Sequence, residues 1–295
     1  MGKRTRREFL KDSTTAAMAG ALYFSGPIHL FAQQAKGSRV VLIRHKDLLD
    51  KQERPRKEIV LKMLDEAVTT LLDEKDTVKA WKRLVKPADV VGIKSNEWQP
   101  ICTPPVLEDV IKQRIKDAGV AETNIGINDR GVLADPLFKR ATALINVRPL
   151  RTHHWSGVGS LIKNYIIFTE DPSSYHDDSC ADLASIWELP IVKGKTRLNI
   201  LVLFTPIFHG VGPHHYSPDF TWPYKGLLVG FDPVAVDATG VRILLAKRKQ
   251  HFNEERPLNP PPKHVFLADT RYHLGTADAQ NIELIKLGWD ENSFV

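Results

Sequence analysis

Short apolar, β-branched runs alternate along this chain with longer segments in which apolar residues recur every three or four positions. The runs at 40–43, 90–93, 125–127, 143–147, 199–204 and 227–230 have the length and side chains of strands. The segments 56–72, 77–85, 105–118, 181–189, 233–247 and 278–287 read as helices. In the third of these, Val106, Val110, Ile111 and Ile115 form one stripe, and Gly119 follows as a C-cap glycine would. The alternation predicts an α/β fold: a single main domain with a mostly parallel sheet covered by helices on both faces. A Pro-rich loop over 254–263 is expected to be exposed and to set off an appendage at 265–295.

Nearly every predicted strand ends in a polar cluster. The run at 90–93 leads into Lys94-Ser95-Asn96-Glu97, and 125–127 into Asn128-Asp129-Arg130. The run at 143–147 leads into Arg148 and then Arg151-Thr152-His153-His154. His209 follows 199–204, and Asp232 follows 227–230. Strands of a parallel sheet end on one edge, where ligands of open α/β sheets bind, so these clusters are expected to meet.

The beginning of the chain carries a different signal. Thr5-Arg6-Arg7-Glu8-Phe9-Leu10-Lys11, followed by a mildly apolar stretch at 16–24, reads as a twin-arginine export signal. It divides the chain into a signal peptide at 1–34 and an α/β domain at 35–295, with cleavage expected between Ala32 and Ala35. The expected location is periplasmic or otherwise extracytoplasmic, and the first partner is the twin-arginine translocation machinery, which carries folded proteins. Five basic and two acidic residues within the first 32 account for half of the net charge of +6. The remainder has no long basic run and no aromatic–basic interleaving, so nucleic acid is not an expected partner. No later run reaches ~18 apolar residues, and no stable membrane anchor is expected. The two cysteines, Cys102 and Cys180, cannot supply the four thiolates of a usual iron–sulfur cluster.

Three stretches carry candidate chemistry. In the first, Gly157, Gly159 and two serines precede Lys163-Asn164, a composition that suits a loop cradling an anion with its N–H groups. The spacing is neither a Walker A loop nor G-x-G-x-x-G, so no nucleotide cofactor motif is present. In the second, His209, His214 and His215 lie within seven residues around Gly210 and Gly212-Pro213. Imidazole is a frequent metal ligand and acid–base group, and His153, His154 and His176 add to the set. A His-rich surface loop is the other reading. In the third, Phe231-Asp232-Pro233-Val234-Ala235-Val236-Asp237, Asp232 is placed to cap a helix starting at Pro233. Asp237 has no capping role and is the better candidate for function.

In this order, these stretches resemble the family called domain of unknown function 362. The resemblance rests on Lys94 and Asn96, on Thr103 with Pro105 through Ala118-Gly119, and on Leu144-Ile145-Asn146-Val147. It continues through Thr152-His153, Lys163-Asn164, His176, Gly210 with Gly212-Pro213, Asp232 through Asp237, and Leu274 through Asp278 with Ile282-Glu283. It implies a fold and site positions, but no agreed reaction. Arg151 stands where family members usually have Lys, and the Cys-rich ferredoxin-like segment of many members is missing.

The expected function is that of a metal-assisted enzyme acting on a small anionic substrate in one His/Lys/Asn/Asp pocket. His153, His176, His209 and Asp237 are the catalytic candidates. Lys94, Asn96, Arg151, Lys163, Asn164 and Gly212 are the substrate-binding candidates. A divalent metal ion on His153, His176 and His209 would polarise a substrate oxygen. A non-catalytic metal- or anion-binding protein, or an accessory subunit of an exported redox enzyme, is the alternative.

Overall fold

The computed structural model describes residues 37–295, together with all side chains of that range except those of Pro213 and His214. The twin-arginine pattern, the apolar stretch behind it and the cleavage region lie outside the described residues.

Eight strands form one sheet: β1 (Ser38–Arg44), β2 (Val91–Lys94), β3 (Ile125–Asn128), β4 (Ala143–His153), β5 (Gly157–Gly159), β6 (Thr196–Ile207), β7 (Gly226–Gly230) and β8 (Ile282–Gly288). Their order is β3-β2-β4-β6-β7-β1-β8, with β5 paired to the end of β4. The pairs β2/β3, β2/β4, β4/β6 and β1/β8 are parallel, whereas β7 runs antiparallel to both β6 and β1. The described chain is thus an α/β domain with a mostly parallel, mixed sheet.

Alternation along the strands gives each face its own core. Val41, Ile43, Ile93, Ile145, Val147, Ile200, Val202 and Val229 point to one face. There they meet α1 (Lys57–Leu71), α2 (Thr77–Leu84) and α3 (Pro105–Asp117), with Trp81 fully buried among them. Val40, Leu42, Leu201, Leu203 and Leu228 point to the other face. That face is covered by two short helices, α4 (Pro136–Lys139) and α5 (Leu161–Asn164), and by α6 (Pro233–Phe252) and α7 (Lys263–Thr270). Truncating a leucine in either core would cost about 2–5 kcal/mol.

Four sequence expectations need correction. The segment 278–287 is not a helix. Asp278 does cap, accepting from the Gln280 N–H, but it caps a single 3-10 turn, after which the chain enters β8, with Ile282 and Leu284 packed on one core and Ile285 and Leu287 on the other. Because β8 pairs with β1, the region after the Pro-rich loop is part of the sheet and not an appendage. The segment 181–189 forms a 3-10 stretch, Leu183–Glu188, and no α-helix. Finally, β4 does not stop at Val147. It continues through Pro149 to His153, with a register shift between Pro149 and Arg151 that accommodates a residue without an N–H.

Candidate functional site

The route of the chain through the sheet makes a crevice at the ends of β2 and β4. From β2 the chain crosses by α3 to β3, on one side of β2. From β3 it returns by α4, across the other face, to β4 on the opposite side of β2. Such reversals are where open α/β sheets bind ligands. A cavity of about 300 Å³ lies there. Its wall includes Asn96 after β2, Asp129 and Arg130 after β3, and Arg148, Arg151 and His153 from β4. Lys163 and Asn164 of α5 and His176 complete its polar lining, and Trp98, Trp155, Ile166 and Ile167 supply the apolar part. Three of the five polar clusters at strand ends therefore meet. The other two do not: β7 is antiparallel, so Asp232 leaves at the opposite edge, and His209 lies to one side.

The charge balance sets the chemistry of this cavity. Lys94, at the end of β2, does not line the cavity; it is fully buried and gives hydrogen bonds to the Ser95 carbonyl (2.6 Å) and to two lining residues, the Asp129 carboxylate (2.6 Å) and the Asn164 side-chain oxygen (3.3 Å). Burial lowers its pKa and Asp129 opposes the change. Asp129 has a counter-pressure of its own from burial, but Lys94 and the Glu97 N–H hold its carboxyl below the ordinary value. This pair is self-contained. Arg148, by contrast, is only 5 % exposed, and its guanidinium makes no hydrogen bond or ion pair with any described residue. Arg151 is 1 % exposed; it gives one hydrogen bond to the Ile101 carbonyl and leaves Nε without a partner. Burial pushes Arg148 down to about 10 and lowers Arg151 further, with Arg148 adding repulsion. Lys163 has a thiol for company: its Nζ lies 3.5 Å from Cys180 Sγ. Burial, with repulsion from Arg148, brings its amine down to about 8.

Each group is held by local structure that the sequence explains. Gly159 leaves room for Arg148 and Arg151, because a Cβ there would crowd both side chains. Gly157, at φ +71, lets the Pro-rich loop approach β5; a side chain would strike the Pro260 carbonyl. The glycine-rich stretch is thus a hairpin strand pairing with β4, and its glycines serve close approach more than an anion cradle. Asn164 gives hydrogen bonds to the carbonyls of Lys94 and Val147 and to Asn146 Oδ1, so its amide fastens α5 to β2 and β4. Asp237, fully buried on α6, accepts from Ser160 Oγ and from the N–H groups of Leu161 and Ile162. It caps α5 from a neighbouring element and lies behind the cavity wall. Burial raises its carboxyl to about 6.

The imidazoles divide. His153 accepts from the Trp155 N–H at Nδ1, which places its proton on Nε2, and burial holds it far below its ordinary pKa. His176 packs 4.0 Å from the Trp155 ring, and burial with repulsion from Lys163 lowers it to about 4. His209 lies elsewhere, edge-on to Phe220 and Phe252, with Nδ1 3.1 Å from an Arg248 nitrogen. The expected His153/His176/His209 metal triad is therefore not assembled. Among the described residues no three His, Cys, Asp or Glu side chains are grouped to hold a metal. Gly212 is a packing residue beneath β4: at φ +79, a side chain would collide with the Thr152 carbonyl. Cys102 and Cys180 are free thiols.

The candidates brought to the cavity are thus Asn96, Arg151, His153, Lys163, Asn164 and His176, whereas Lys94 does not line it and only bonds its wall residues Asp129 and Asn164. Arg148, Asp129 and the two tryptophans were not among the candidates. Arg148 and Asp129 belong to the polar clusters expected at the strand ends, but were not singled out as binding residues because the strand was expected to stop at Val147.

Residues 91–242 match the family described as Domain of unknown function (DUF362). The chain belongs to this family. Every cavity residue falls within the DUF362 segment, as do Asp237 and Cys180. No curated protein and no solved structure matches the chain.

Proposed function

We propose that this DUF362 chain binds a small, multiply charged anion in the β2/β4 crevice and acts on it there. The observation that carries the reading is Arg148: a buried guanidinium with five N–H donors and no protein partner among the described residues. Burying an unpaired charge costs several kcal/mol, and a structure that keeps one generally has a use for it. Arg151 and Lys163 add positive charge without an ion pair to any described carboxylate, since Asp129 is bonded to Lys94, and the nearby Asp129 and Asp237 offset only part of the cost of burying Arg148. A guanidinium pair suits carboxylate or phosphate oxygens, which it can hold by parallel hydrogen bonds. The two tryptophans and two isoleucines then face the ligand's uncharged part.

In this reading Arg148 and Arg151 clamp the anion, Asn96 orients it, and Lys163 and His176 exchange protons with it. Neither of the last two is locked in its charged form near neutral pH. A divalent cation alone is a poor occupant, because the cationic wall repels it. The twin-arginine pattern supports export of the folded chain. No helix among the described residues is long and apolar enough to cross a membrane.

Calorimetric titration tests this. Citrate or inorganic pyrophosphate should bind to the wild type in a salt-sensitive way, acetate at least tenfold more weakly, and magnesium alone not at all. Equal affinity for acetate and citrate, or tight magnesium binding without an anion, would overturn it.

A further inference from the structure

The two buried lysines, Lys94 behind the cavity wall residues it bonds and Lys163 in the lining, have opposite surroundings. All three protons of Lys94 are given to oxygens, one of them a carboxylate. The Lys163 nitrogen has one polar neighbour, the Cys180 sulfur, and no carboxylate within ion-pair distance among the described residues. Cys180 is itself buried, and burial raises its thiol pKa; the thiol favours the charged lysine but does not outweigh the effect of burial on Lys163. The thiol is presented by the turn Asp177–Cys180, in which Asp178, Ser179 and Cys180 all have left-handed φ values of 47°, 60° and 63°. Three consecutive non-glycine residues in that region cost about 1 kcal/mol or more each. An ion pair between Lys263 and Asp178 ties the turn to the start of α7.

We propose that Lys163 is an imine-forming lysine, and that the anion held by Arg148 and Arg151 is a carboxylate bearing a neighbouring carbonyl group, a 2-oxo acid. The inference rests on the anion-binding reading and deepens it. A lysine needed only for charge would be better served by a partner like Asp129. Lys163 instead sits where burial and two guanidinium groups favour the free amine, an arrangement that activates lysine as a nucleophile. Arg148 or Arg151 holds the carboxylate and presents the adjacent carbonyl carbon to Nζ. The amine adds to that carbon, the carbonyl oxygen takes up a proton, and loss of one water gives the C=N bond. His176, uncharged near neutral pH, can take the proton released by nitrogen as the adduct forms.

Reductive trapping tests this on the full chain. The protein is incubated with 2-oxoglutarate and cyanoborohydride, with glutarate as the carbonyl-free control, and the adduct is located by peptide mass mapping. The expected result is one reduced adduct on Lys163 with 2-oxoglutarate, none with glutarate, and none in Lys163→Arg. Mapping the wild-type adduct keeps the test valid if that variant fails to fold. Thermal stabilisation by both acids without a Lys163 adduct would overturn the imine and leave the anion site standing. Neither stabilisation nor an adduct would overturn both. Equal labelling of exposed lysines in wild type and Lys163→Arg, with Lys163 unlabelled, would also overturn the imine.

Discussion

The Asp237 carboxylate accepts a hydrogen bond of 2.7 Å from Ser160 Oγ, and its two oxygens also take the N–H groups of Leu161 and Ile162. The long helix α6 thereby holds the turn that carries Lys163 and Asn164. Asp237→Asn leaves only one acceptor for three donors and should lose about 2 kcal/mol of stability. The loss has a pH signature. Burial raises the carboxyl from its ordinary ~3.9 to about 6, so between those values the folded chain keeps a proton that the unfolded chain has released. This group's contribution is full below ~3.9 and falls as pH rises through about 6. The deficit of Asp237→Asn, measured by urea unfolding, should therefore narrow from pH 4 to pH 6.

Lys163 works in the opposite direction. Its amine falls from an ordinary ~10.4 to about 8. Between those values the unfolded chain holds a proton that the folded chain does not, so stability rises with pH over that window. Lys163→Met removes the effect. The wild type should gain about 2 kcal/mol more than the variant between pH 8 and pH 10. Equal slopes would show that the amine is not perturbed.

His209 provides a negative control. Its ring packs against Phe220 and Phe252 and sits beside Arg248, outside the cavity. His209→Ala should cost about 1 kcal/mol of stability and leave citrate affinity within twofold of wild type. A tenfold loss of affinity would return His209 to the site.

Much of this was legible in the sequence, for identifiable reasons. Strands β1, β2, β3 and β7 are short apolar runs with clear ends, β6 was legible only in its apolar centre, 199–204 of Thr196–Ile207, and α1, α2, α3 and α6 have caps or stripes that declare them. The misreadings have physical causes too. Asp278 is a true cap, but its turn is followed by an edge strand whose Ile282, Leu284, Ile285 and Leu287 serve both faces of the sheet, a spacing that also suits a helix. Pro149 breaks the apolar run without breaking the strand, because the register shifts beside it. Arg148 is therefore inside a strand and not in the loop after one, although it does belong to a cluster that meets at the site. The direction of β7 is a property of the sheet and not of its five residues, so the separation of Asp232 from the site was not readable locally. Nor was the position of His209: a histidine after a strand reads alike whether it faces a cavity or packs on phenylalanines.

The most direct test of the central claim is the thermal stability of Arg148→Met, with and without citrate. Replacing a buried charge that has no hydrogen-bond or ion-pair partner by an apolar side chain of similar length should stabilise the ligand-free protein by about 1–3 kcal/mol. Citrate should then stabilise the wild type and no longer the variant. A variant less stable than wild type without ligand, or one that citrate still stabilises to the same extent, would contradict the account of Arg148 as a buried cation held for an anionic ligand.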